Sequence, residues 1–211
     1  MIRPPGIRAV AFDLDGTLLR GETVCEVLAR PLGRLPRMRE LERVTDREAI
    51  VSAREEMAGW YRDYRHSELV AFLSDARLAP GALEGAALLQ EAGIDVFVVS
   101  ITWSFAVEHF AKLFGATAWQ GTELRQHGTI GHVWAEDKVT WLESRMRERG
   151  LTTDEVAAVG DSSNDVPLLN AAGLSIFVGT RLLSTLPGSA LHRPAADIRE
   201  LAKEIVAYRS P

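Results

Sequence analysis

Ile7-Arg8-Ala9-Val10-Ala11-Phe12-Asp13-Leu14-Asp15-Gly16-Thr17 is the stretch that decides the fold. A short, nearly continuous apolar run has no room for an amphipathic stripe. It reads as a strand buried on both faces of a parallel sheet, with its functional groups at the carboxyl end. Asp13 and Asp15 stand at that end, followed by a glycine for a tight turn and a hydroxyl to hold it.

Working outward, the same texture returns at Ile94 to Val99, at Val156 to Val159 and at Leu174 to Val178. Helical stretches lie between, such as Leu83 to Ala92 with Gly93 as its C-cap, and Ile198 to Tyr208 reads as a closing amphipathic helix. Strands alternating with helices imply right-handed βαβ units, so the fold class is α/β with a Rossmann-like parallel sheet. Between Leu19 and Leu78 the chain becomes charged, with Leu, Val, Met and Trp at helical spacing and a break at Pro31 to Pro36. This predicts a small helical cap over residues 20–78, inserted into a core made of 1–19 and 79–211. Ala116 to Trp134 holds two β-rich stretches around His127-Gly128 and predicts a hairpin.

The chain has 211 residues, a net charge of −5 and no dominant basic stripe, which argues against nucleic acid as a partner. Its single cysteine, Cys25, forbids an internal disulfide and fits a reducing cytoplasm. Met1 to Gly6 lacks the apolar stretch of a signal peptide, and no segment approaches the ~20 apolar residues of a membrane span. The expected location is cytoplasmic, with no membrane partner and the oligomeric state open.

Four pieces carry chemistry. On a strand, residues two apart point the same way, so Asp13 and Asp15 start near one another and either share a proton or hold a cation. Beside a metal, Asp13 stays ionised and serves as a nucleophile, while Asp15 protonates a leaving oxygen and later deprotonates water. A helix cap or Asx turn is the bland alternative. Ser100 ends the second strand, where a hydroxyl beside free N–H groups makes an anion seat; taken alone it reads as a helix cap, with Thr102 and Ser104 as neighbours able to do the same. Lys138 falls in the first turn of a helix running to about Arg149, a place the helix dipole disfavours for a cation unless an anion is near. Gly160-Asp161-Ser162-Ser163-Asn164-Asp165 follows the third clear strand with hard oxygen ligands suited to Mg²⁺, or with the makings of a capped loop. All four sit at strand ends or first helical turns of one sheet, where open α/β folds bind ligands.

In this order, Asp13-Leu14-Asp15-Gly16-Thr17, Ser100, Lys138 and Gly160 to Asp165 resemble the four motifs of haloacid dehalogenase-like phosphatases, and within them the phosphoserine phosphatase branch. The resemblance covers nearly all of the chain outside the insertion. It implies hydrolysis of a small, phosphoserine-like phosphorylated metabolite through a phosphoaspartate on Asp13, with Asp15 as acid/base. It further implies Mg²⁺ on Asp13, Asp15 (through its backbone carbonyl) and Asp161 with help from Asp165, and phosphate held by Thr17, Ser100, Ile101, Lys138 and Asn164.

Glu22 matches the position of the branch's amine-reading glutamate, though a carboxylate at a helix start serves the dipole equally. Arg54, Arg62 and Arg65 are the candidates for meeting a substrate carboxylate, with Arg54 and Arg62 preferred. Ile101-Thr102 and Ser162 replace glycines the branch usually carries. A phosphatase for another amino-alcohol or sugar phosphate, or a phosphotransferase of the same superfamily, remains the alternative. A receiver-like signalling module is more remote, because it predicts a shorter chain with the accepting Asp on a middle strand.

Overall fold

β1 (Ala9–Phe12) is buried along its whole length, and the computed structural model, which describes residues 6–125 and 129–209, builds the protein around it. Among the described residues, seven strands form one sheet in the order β4-β3-β2-β1-β5-β6-β7. β2 (Asp95–Trp103), β3 (Ala118–Leu124), β5 (Val156–Gly160), β6 (Leu174–Phe177) and β7 (Leu191–His192) run parallel to their inner neighbours. Only β4 (Ile130–Gly131) is antiparallel, against the end of β3. That pairing is the expected hairpin; its tip at His127-Gly128 lies outside the described residues. The two-residue β7 was not foreseen, because two residues carry no period to read.

The alternation along β1 assigns its faces. Val10 and Phe12 join one apolar cluster with Val96, Val98, Ala157 and Val159, whereas Ala9 and Ala11 join the other with Phe97, Val99, Val156 and Ala158. The first face is covered by α5 (Ala82–Glu91), α6 (Ser104–Leu113) and α9 (Ile198–Ala207), the second by α7 (Ala135–Arg149) and α8 (Val166–Asn170). This is the expected Rossmann-like α/β core. No helix among the described residues is long and apolar enough to cross a membrane.

The chain leaves the sheet after β1, makes α1 (Val24–Ala29), α2 (Leu35–Leu41), α3 (Arg47–Tyr61) and α4 (His66–Phe72), and returns. Local signals set these helices. Thr23 and Glu26 form a capping box at the start of α1, Pro36 sits in the first turn of α2, and Asp46 caps α3 through the Ala49 N–H. The outgoing and returning strands of chain are joined by hydrogen bonds from Arg20 N to Arg77 O (2.8 Å) and from Ala79 N to Leu18 O (2.8 Å). Tyr61 of α3 meets Trp103 edge-on at 5.7 Å between ring centroids, docking the insertion on the end of β2.

One close approach tests this packing. α5 lies against the start of α9 at Gly85, where an added Cβ would come within 2.6 Å of the Ile198 carbonyl oxygen. Gly→Ala inside a helix gains about 1 kcal/mol of propensity, but overpacking against backbone costs about 1–3 kcal/mol. Gly85→Ala is therefore expected to lower the unfolding free energy by up to about 2 kcal/mol in urea titration; an increase would contradict the packing described.

Candidate active site

β1 is central, and the chain switches from β1–β2 on one side to β5 on the other, which opens a crevice at the carboxyl ends of β1 and β5. The groups that follow these strands meet there. Asp13, Asp15, Ser100, Ile101, Lys138, Asp161 and Asn164 line one cavity of about 550 Å³, roofed by the inserted helices.

At its floor, Lys138 Nζ donates to Asp13 Oδ1 (2.7 Å) and to Asp165 Oδ1 (2.6 Å), with Lys138 only 1% exposed. Burial disfavours the ammonium, but the carboxylates of Asp13 and Asp165 outweigh it and hold the lysine well above its ordinary pKa. This answers the oddity of a lysine in the first turn of α7. The other oxygen of Asp165 accepts from the N–H groups of Asp161 (3.1 Å) and Ser162 (3.0 Å) and from the Ser162 hydroxyl (2.9 Å). Asp165 thus braces the loop after β5 rather than facing the open cavity.

Carboxylate oxygens of Asp13, Asp161 and Asp165 all lie within 4.8 Å of one another. Three acids against one lysine leave this buried corner short of positive charge. Burial, and then Asp165, push the Asp13 carboxyl well up against the pull of Lys138, and burial followed by Asp165 brings Asp161 to about 6. Hard oxygens, close spacing and excess negative charge fit a divalent cation, which would reverse these shifts. Gly16 makes the closeness achievable: its φ is +78°, and a Cβ there would overlap the Asp161 carboxylate.

Asp15 Oδ1 accepts the Val24 N–H at the head of α1 (2.7 Å), and burial pushes its carboxyl up to about 7 despite that bond. Ser100 differs from expectation in its setting. β2 continues past it to Trp103, with a shift in its register against β3 between Val99 and Trp103. Its hydroxyl accepts from Thr102 N (3.4 Å), so an irregular strand, not a helix cap, aims it.

Thr17 is fully buried beneath the turn, outside the cavity lining, and its hydroxyl oxygen has no hydrogen-bond partner among the described residues. Of the expected substrate residues, Arg54 lines the cavity while Glu22 and Arg62 do not. Glu22 is drawn away by ion pairs with Arg30 and Arg39, the latter at 3.6 Å, and Arg62 stands exposed at the end of α3. Arg54 is 6% exposed and donates to Ile101 O (3.0 Å) and Val133 O (3.0 Å), with His132 Nδ1 at 3.0 Å. It also lies 4.7 Å from the Trp134 ring, which Arg47 covers at 4.2 Å. His132, Trp134 and Arg20, whose guanidinium donates to Gly16 O and favours the ionised Asp161, escaped the sequence because only tertiary folding brings them here.

The haloacid dehalogenase-like hydrolase family model matches residues 10–170. A phosphoserine phosphatase of Archaeoglobus fulgidus is 32% identical over 181 residues, covering 80% of this chain and 52% of that protein. One from Halobacterium salinarum is 28% identical over 191 residues, covering 80% of this chain and 84% of the relative. The chain thus spans about half the length of the first and most of the second. A solved structure described as a phospho-aspartyl intermediate analogue of phosphoserine phosphatase superposes with a TM-score of 0.76 at 20% identity, over 94% of this chain and 99% of that one, a likeness of fold. Motif order, topology and family match agree, and the chain belongs to the haloacid dehalogenase-like hydrolases.

Proposed function

We propose that this protein is a Mg²⁺-dependent phosphomonoesterase that hydrolyses a small phosphorylated metabolite through a phosphoaspartate on Asp13. The observation that carries this reading is the meeting of Asp13, Asp161 and Asp165 around Lys138 on the floor of a cavity also lined by Asp15, Ser100 and Asn164.

Lys138 holds Asp13 Oδ1, which leaves the second oxygen of Asp13 to attack phosphorus as the bond to the leaving oxygen breaks. Asp15, its carboxyl raised to about 7 by burial, gives its proton to that oxygen. As a carboxylate it then takes a proton from water, whose oxygen attacks phosphorus, breaks the bond to Asp13 and releases phosphate. The Ser100 hydroxyl, the Ile101 N–H, Lys138 and Asn164 hold the transferring group, so that catalysis rests on positioning and charge. Mg²⁺ held by Asp13, the Asp15 carbonyl and Asp161, with Asp165 behind them, would supply the positive charge that phosphoryl transfer needs. We assign residues 20–78 as the cap and 1–19 with 79–211 as the core. Arg54, which has no carboxylate partner among the described residues, keeps the inserted side of the cavity cationic. Burial pushes the Cys25 thiol up to about 12, keeping it protonated, and a cytoplasmic place of reaction rests on the single cysteine of the chain.

Asp13→Asn is expected to abolish Mg²⁺-dependent phosphate release while leaving the melting transition near that of the parent; full activity in that variant would refute the nucleophile. Chelation should remove turnover and added Mg²⁺ restore it, and Asp161→Asn should raise the Mg²⁺ concentration for half-maximal rate at least about tenfold. Lys138→Met leaves Asp13 and Asp165 buried without their cation. It is expected to lower unfolding free energy by about 3–5 kcal/mol in urea, in addition to losing activity.

A further inference from the structure

The inserted side of the cavity has a composition that the phosphate chemistry does not explain. Met38, Leu41, Val44, Ile50, Ala53 and Met57, from α2, the loop after it and α3, line it. Two charged groups share that side. Arg54 is cationic and buried. Glu42 is exposed to solvent on its outer side, burial on its cavity side pushes its carboxyl up, and it already accepts from the Thr23 hydroxyl with Arg39 nearby. Glu22, the other acid within reach by sequence, is held outside by Arg30 and Arg39.

An ammonium carried into this chamber would lose its water among methionine and aliphatic side chains and face the Arg54 guanidinium, with only Glu42 among the described residues, already engaged by Thr23 and Arg39, to receive it there. A hydrocarbon body would instead release water from those same walls. At about 550 Å³ the cavity is also of a size that takes a ligand larger than a three-carbon amino acid ester.

Resting on the phosphomonoesterase reading, we infer that the preferred substrate is a phosphate ester whose alcohol has an apolar hydrocarbon body and no ammonium group. Met57 and Ile50 are then specificity-determining residues, acting by contact with that body.

Steady-state phosphate release by the full chain with Mg²⁺ tests this on isopentyl phosphate, phosphoethanolamine and O-phosphoserine, all primary alkyl esters, so that differences report binding of the body more than leaving-group reactivity. kcat/KM for isopentyl phosphate should exceed both others at least about tenfold, and Met57→Gln should shrink that ratio by about tenfold. Should Met57→Gln fail to fold, Ile50→Thr, at a half-buried position, makes the same comparison. Equal or better turnover of either ammonium-bearing ester, or a ratio unmoved by the folded variant, overturns the inference while leaving the phosphatase intact. Absence of phosphate release from all three and from acetyl phosphate would instead overturn the phosphatase reading, and this inference with it.

Discussion

One buried ammonium organises the site. Lys138 bridges Asp13 at the end of β1 and Asp165 beyond β5, and without it two carboxylates would face each other in a dry interior. The bridge joins three elements: the central strand, the loop after its neighbour, and the first turn of α7. Asp165 spends its other oxygen on the backbone of Asp161 and Ser162, so the same cation indirectly sets the loop that carries Asp161. A buried ion pair is seldom worth much as stabilisation compared with a packed apolar alternative. Its retention here makes sense as geometry: it keeps an acid-rich corner in one arrangement.

The sheet supplies the rigidity for this. β1 is hydrogen-bonded on both sides and buried on both faces, so Asp13 is anchored by tightly constrained backbone. Asp15, two residues on, has already left the sheet and takes its partner, Val24 N–H, from the inserted helices. One carboxylate therefore belongs to the core and the other to the junction with the insertion. Their environments differ accordingly, which lets two chemically identical side chains take different roles.

Much of this was legible in the sequence, for identifiable reasons. The strands at Ile7 to Phe12 and Val156 to Val159 announce themselves because burial on both faces demands unbroken apolar runs. The acids after them are informative because polar groups at such strand ends have few structural reasons to cluster. What escaped was set by tertiary partners. Nothing local says that Glu22 will turn to Arg30 and Arg39, or that Arg54 will reach Ile101 and Val133 across the domain. The continuation of β2 through Ser100 was missed because Ser100-Ile101-Thr102 looks like a strand end, and only the shifted pairing with β3 keeps it extended. Trp134 offers no signal until α3 lays two arginines against it.

The insertion departs and returns at neighbouring points, with Arg20 bonded to Arg77 and Leu18 to Ala79. A detour whose ends are already clasped adds little closure entropy however long it grows, since that cost rises only with the logarithm of length. The sheet register is likewise indifferent to what lies beyond the clasp. Evolution can thus exchange the roof wholesale, retuning which molecules enter, while the acid-rich floor stays as it is.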